Sequence, residues 1–291
     1  MSHDRFMRLT KWRLITLVTI LTATGLLVAG TGGGPANAGT ATAPAGNTSA
    51  TEAASKPSIV LVHGAWADSG SWDAVVRRLQ GMGYTIYVPP NPLRGLSNDS
   101  GTIADFLSTI PGPIVLVGHS YGGAVITNAA TGNTNVKALV YVDAFIPAAG
   151  EVVSQLITDP SSCLAVPDLS TVLDFVPFPG APAGVFDAYV KQSLFPGCFA
   201  NGLGAARGGV LAATQRPLST AAFAEPSGVP AWETISSWAV VGTHDHVIPK
   251  SDQLAMANRA HAHITKVDAP HLSMISSPGA VARVIVEAAQ A

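Results

Sequence analysis

The sequence predicts an α/β fold: a mostly parallel sheet of about six strands flanked by helices, with a cap inserted late in the order. Three observations predict it. From Pro57 onward, short runs rich in Val and Ile alternate with helical patterns, as strand–helix–strand crossovers do. Several runs are apolar on both faces, which a strand covered by helices on two sides requires. Residues 146–233, between the fourth and fifth such runs, are far more than a crossover helix needs, and they read as a cap over a site.

Taken in order, the first element is an export signal. Arg5, Arg8, Lys11 and Arg13 precede an uncharged stretch from Leu14 to about Gly30, and Ala36-Asn37-Ala38 places small residues where a signal peptidase cuts. The expected signal peptide is 1–38, removed after Ala38. The other reading, a retained anchor, is disfavoured because the stretch is shorter than the ~20 residues that span a bilayer and is rich in Thr and Gly. The absence of an Arg-Arg pair favours the general secretion route. Residues 39–56 lack any large apolar side chain, so they read as a flexible low-complexity leader to an α/β domain over 57–291.

The strands expected in that domain are Ile59–His63, Thr85–Val88, Ile114–Gly118, Ala138–Asp143, Trp238–Gly242 and Ile264–Val267. Trp72, Val75, Val76 and Leu79 mark one amphipathic helix; Ile103, Phe106, Leu107 and Ile110 mark a second. Further helices should begin near Tyr121, Ser251 and Pro278, the last with Pro in its first turn and Ser277 as N-cap.

Composition narrows the function. The 291 residues carry 16 Lys+Arg and 18 Asp+Glu, and loss of 1–38 leaves 12 against 17, a mildly acidic chain. With no basic run after Arg13 that could neutralise a phosphate backbone, no nucleic-acid partner is expected.

The informative segment is Ile114-Val115-Leu116-Val117-Gly118-His119-Ser120-Tyr121-Gly122-Gly123: a buried strand, then Gly-x-Ser-x-Gly, then a helical pattern from Ala124 to Ala130. A serine displayed on so tight a turn needs Gly two positions before and after it, and Gly118 and Gly122 supply them. An alkoxide-forming serine needs a base, and the base needs an orienting acid. Asp245 lies just past the fifth strand and His271 just past the sixth, in the order serine, acid, histidine that this architecture uses. Two N–H donors must meet the tetrahedral oxyanion; Tyr121 offers one by position, and Ala65, after the turn-permitting Gly64, offers the other. Such a base works while neutral, so activity should fall below an apparent pKa of about 6 to 7.

On these motifs the segment Ile59–Ala289 resembles the α/β-hydrolase superfamily. Val-His-Gly-Ala-Trp, Ser-Gly-Ser-Trp, Gly-His-Ser-Tyr-Gly-Gly and Asp-His-Val-Ile-Pro resemble its small esterase and hydroxynitrile lyase branch, which includes plant methyl esterases. The resemblance implies Ser120 as nucleophile, Asp245 as acid, His271 as base, and Ala65 with Tyr121 as oxyanion donors. It also implies an eight-stranded sheet, yet the first recognisable strand already carries His63-Gly64, leaving no room for two earlier strands. Asp143 also ends a strand and is the alternative acid, a place some relatives use. The similar lyases carry a Thr and a Lys at the positions of Gly64 and Leu272, so hydrolysis is favoured over cyanohydrin cleavage.

The remaining chemistry-bearing residues take milder readings. Phe175, Phe178, Phe186, Tyr189, Phe195, Phe199 and Trp232 give the cap an aromatic character, with Pro and Gly suggesting short, irregular helices. Cys163 and Cys198 both fall in the cap, and export would let them pair. His63 and His119 read as hydrogen-bonding the local backbone. His244/His246 and His261/His263 form His-x-His pairs without a clear third ligand, so no metal and no organic cofactor is expected. The expected function is a secreted serine esterase for small or medium uncharged esters, with lipase or lactonase activity open and a hydroxynitrile-lyase-like lyase or a non-catalytic ligand-binding member of the fold as the alternatives. A small-molecule ester is the expected partner, no stable membrane association is expected after cleavage, and oligomeric state is left open.

Overall fold

The structure, a computed structural model, describes residues 56–291. The signal-peptide assignment over 1–38 and all of the leader except Lys56 lie outside the described residues.

The central sheet has six strands, all paired in parallel: β1 (Ser58–Val62), β2 (Ile86–Tyr87), β3 (Ile114–His119), β4 (Val136–Val142), β8 (Ser237–Gly242) and β9 (His263–Val267), in the order β2-β1-β3-β4-β8-β9. This is the predicted α/β architecture, and every predicted strand is present. The second is the one most reduced, to two residues, at the sheet edge where it pairs only with β1. The apolar runs are buried as their two-faced pattern requires: every residue of β3 and β8 is buried, and Ile59–Val62 of β1 have no exposed surface. Fully burying one such Val, Leu or Ile side chain contributes about 1.5–3 kcal/mol, so these strands anchor the core.

The first two crossovers run in opposite directions. The chain passes from β1 through α1 (Asp73–Gly81) outward to β2, then through α2 (Leu96–Ser108) back past β1 to β3. Right-handed connections in opposite directions place their helices on opposite faces. Accordingly α1 packs against the C-terminal α8 (Pro278–Gln290), and α2 against α3 (Tyr121–Ala129). Helix α3, overlain by α2 and resting on β3, is buried nearly all round, which its Ala-, Val- and Gly-rich sequence allows. The reversal leaves a topological switch point between the C-terminal ends of β1 and β3, where Val62 pairs with Gly118.

Helix α6 (Lys250–Arg259) and α8 begin within one residue of their expected starts, and α8 carries Pro278 in its first turn. Ser277 occupies the N-cap position, but with φ −133° and ψ 49° its side chain makes no capping hydrogen bond.

The cap is more regular than the sequence implies. Its Pro and Gly residues do break it into short pieces, but three of them, β5 (Leu173–Val176), β6 (Asp187–Val190) and β7 (Leu218–Ser219), form an antiparallel sheet. It also holds a ten-residue helix, α4 (Ala205–Thr214), and the short α5 (Thr220–Ala224). Cys163 and Cys198 form a disulfide, with Cα atoms 5.7 Å apart. A loop of this size closed by a disulfide gains about 3 to 4 kcal/mol on the chain-entropy model.

Candidate active site

Parallel strands in register deliver their C-terminal ends to one edge. Gly64 and Ala65 follow β1, Ser120 follows β3, Asp143 follows β4, Asp245 lies in the loop after β8, and His271 follows β9, before the short α7 (Ser273–Ser276).

Ser120 sits between the last residue of β3 and the first of α3 with φ 53° and ψ −125°, a left-handed strain that a non-glycine residue adopts only where its surroundings enforce it. The glycines on either side explain how. A methyl group on Gly118 would come within 2.5 Å of Gly122 O, and one on Gly122 within 2.6 Å of Val62 O. Gly64 is equally confined: a Cβ there would lie 2.7 Å from both His119 O and Ser120 Cβ, and 3.1 Å from Tyr121 N. The first-strand loop therefore lies directly against the serine turn. Among the described residues, neither the Ala65 N–H nor the Tyr121 N–H is matched to a protein acceptor. The Tyr121 side chain is committed elsewhere, its hydroxyl donating to Asp99 Oδ2 at 2.8 Å.

His271 and Asp245 meet in full burial, with Nδ1 2.7 Å from Oδ2. Nδ1 carries the proton, since the carboxylate can only accept it, and this leaves Nε2 as the basic nitrogen. Nε2 is buried and has no hydrogen-bond partner among the described residues, Ser120 Oγ included, a looseness common in unliganded sites. Burial pushes the imidazole down to about 3, so it is neutral at neutral pH. Asp245 is held from three further directions: Val247 N and Ile248 N donate to Oδ1 at 2.7 and 2.9 Å, and Gln253 Nε2, from α6, donates to Oδ2 at 2.8 Å. Burial pushes this carboxyl up, while the donors favour its ionised form.

Asp143, the alternative acid, takes a different place. Its Oδ1 accepts from Gly242 N at 2.8 Å and its Oδ2 from Ser273 N at 3.2 Å, so it ties the end of β8 to the segment after His271. Burial, then the neighbouring Asp245 charge, drives it well above the usual carboxylate range. No bond joins it to the His271 ring.

The histidines divide. His63 makes one local bond and one distant one, Nδ1–H donating to Gly64 O at 2.9 Å while Nε2 accepts from Asn91 N, 28 positions away, at 3.0 Å. His119 bonds to a distant partner: its Nε2–H donates to His271 O at 3.0 Å, 152 positions away, so it steadies the backbone of the candidate base. His244 pairs with Asp268 at 2.7 Å, His246 Nδ1–H donates to Gly197 O, and His263 stacks on Trp238. Of the cap aromatics, Phe199 reaches the site, its ring centroid 5.0 Å from that of His271, whereas Phe175 and Phe186 remain exposed.

The Ser120 turn, the buried His271–Asp245 pair and the first-strand loop converge at the switch point, and a family model described as the alpha/beta hydrolase family matches residues 59–284. The chain belongs to the alpha/beta hydrolase family. Within it, a carbendazim hydrolyzing esterase of Nocardioides sp. (strain SG-4G) is 33% identical over 107 residues, 32% of this chain and 44% of that protein. A pyrethroid hydrolase of Sphingobium wenxiniae is 33% identical over 106 residues, 32% of this chain and 37% of that protein. The chain thus spans less than half the length of these curated relatives. The crystal structure of a methylesterase from Arabidopsis superposes with a TM-score of 0.64 at 15% identity, over 80% of this chain and 99% of that one, which shows the shared fold.

The roles of Gln253 and Asp143 in holding the other site residues, and the distant partner of His119, had no signal in the sequence. Each joins the ends of different strands or a strand end to a helix, and no local motif encodes such a meeting.

Proposed function

We propose that this alpha/beta hydrolase cleaves small or medium uncharged carboxylic esters through an acyl-serine intermediate, with Ser120 as nucleophile, His271 as base, Asp245 as acid, and the Ala65 and Tyr121 N–H groups as oxyanion donors. The observation that carries it is the strained Ser120 turn beside a buried His271–Asp245 pair whose free nitrogen is Nε2.

Ser120 Oγ attacks the ester carbonyl carbon as its proton passes to His271 Nε2, and the imidazolium so formed is stabilised through Nδ1–H by Asp245. Charge on the carbonyl oxygen meets the two N–H groups that no protein acceptor occupies. Collapse of the tetrahedral intermediate breaks the carbon–alkoxide bond, and the leaving oxygen takes the Nε2 proton. Water then attacks the acyl-serine, giving one proton to His271, and release of the acid returns that proton to Ser120. Two relatives named for hydrolysis support this reading. So does the confinement of Gly64, which leaves no room for the Thr that similar lyases place there, and the burial of Leu272 where they carry Lys. We further propose export, on the strength of residues 1–38 and the disulfide.

The test is covalent. A fluorophosphonate should label Ser120 in the wild type and nothing in a folded Ser120→Ala protein, which should lose hydrolysis of p-nitrophenyl esters. Labelling elsewhere, retained turnover, or mandelonitrile cleavage exceeding that of every ester tried would reject the assignment.

A further inference from the structure

The loop that carries Asp245 is gripped by the two segments that the disulfide joins. From the first, Cys163 N donates to His246 O at 2.8 Å and Ser162 Oγ to Val247 O at 2.7 Å. From the second, Gly197 O accepts from His246 Nδ1 at 3.2 Å, and Asn201 Nδ2 donates to His244 O at 2.7 Å. Backbone carbonyls or ring atoms at 244, 246 and 247 are thus each held by a residue within three positions of a half-cystine. The same loop supplies the Val247 and Ile248 N–H groups that fix Asp245 Oδ1. Phe199, next to Cys198, packs its ring edge-on to His271. Cap segments 35 positions apart in sequence would have to be ordered separately to make these contacts, and one covalent bond removes most of that cost.

We propose that the Cys163–Cys198 disulfide is a positioning device for the catalytic acid: by closing two cap segments on the 244–248 loop it fixes Asp245 against His271, so that the site is complete only in the oxidised protein. This rests on the serine-hydrolase reading above. Reduction by a dithiol, itself oxidised to a cyclic disulfide, would break the Sγ–Sγ bond to two thiols and release the loop without removing any reacting group.

The experiment compares wild type with Cys163→Ser/Cys198→Ser, well below either unfolding midpoint, by hydrogen exchange and by kinetics in the Asp245 and Asp245→Asn backgrounds. Amides of 245–248 should exchange faster in the double variant while those of 59–62 do not change. With Asp245 present, kcat should fall by about 10- to 100-fold with KM moving less than about threefold, as for a misplaced catalytic group. In the Asp245→Asn background, removing the disulfide should change kcat less than about twofold, because the group it positions is already disabled. Unchanged exchange over 245–248, a loss confined to KM, or an equal penalty in both backgrounds overturns the proposal and leaves the bond as a brace of the cap alone. If the cysteine variant does not fold, Ser162→Ala/Asn201→Ala keeps the disulfide, removes two of the grips, and should show the same pattern more weakly. Faster exchange over 245–248 in the double variant, with a wild type that hydrolyses no ester, would reject the serine-hydrolase reading and not the grip.

Discussion

Asp143 and Asp245 end adjacent strands and are both buried, yet they are solvated by the protein in different ways. Asp245 receives two backbone N–H groups, one side-chain N–H and the imidazole, whereas Asp143 receives two backbone N–H groups and faces the charge of Asp245. Two carboxylates so placed do not both ionise, and the one with more donors keeps the charge. Asp245→Asn should therefore lower kcat by up to ~10⁴, since imidazolium formation loses its counter-charge and the tautomer its anchor. Asp143→Asn retains an oxygen acceptor and should cost far less; a larger loss in folded Asp143→Asn protein would reverse the roles. The pH profile belongs to the same scale. A base must be neutral to act, and burial lowers His271 from 6.5 to about 3, so the acid limb of kcat/KM should fall below the ordinary imidazole range. This lies below the value of about 6 to 7 expected of a solvated ring. A limb at or above 6.5 in the unliganded enzyme would show that the site opens to water before the proton moves.

At the scale of elements, the turn after β1 and the turn after β3 constrain one another. Gly64→Ala would press a methyl group to 2.7 Å from His119 O and Ser120 Cβ, one of them backbone, so the loops must part. Overpacking of this kind costs about 1–3 kcal/mol, and it separates the Ala65 N–H from the position proposed for the oxyanion. Urea unfolding should show the stability loss, and fluorophosphonate labelling should slow; a variant as stable and as reactive as wild type would mean the turn is more pliable than its packing. Such elements were legible because each was specified more than once. Around Ser120 a buried strand, two obligatory glycines and an apolar helix all agree. The cap sheet had no such redundancy. Strands β5 and β6 are four residues long, β7 is two, and β6 and β7 pair across the whole of α4, so neither length nor a hairpin turn announced them. His119 was legible as a scaffold residue but not in its partner, because its carbonyl acceptor is brought in by β9.

For the molecule as a whole, the price of this architecture is a set of histidines that must stay neutral. His63, His119 and His271 are all buried, and burial lowers each: to about 4, well below 6.5, and to about 3 respectively. Above pH 6.5 this costs nothing, since the unfolded chain is neutral at these positions too. Below it the unfolded chain takes up protons that the folded one refuses, so their contribution to stability declines as pH falls toward the folded values. Buried carboxyls raised by the same burial, Asp99 and Asp143, act in the opposite sense, because the folded protein holds protons there that the unfolded chain releases. The net slope mixes the two, and a single-site difference separates them. His63 is the suitable probe, since it holds the β1 turn through Gly64 O and Asn91 N without touching the His271 ring. His63→Gln can donate and accept in its place but cannot titrate. Relative to wild type it should gain stability steadily as pH falls from 6.5 to about 4, by a total of order 3 kcal/mol at the lower end, and no further below it. Urea unfolding of both proteins at half-unit pH steps measures this directly, and parallel curves would show that His63 is protonated without loss of the fold.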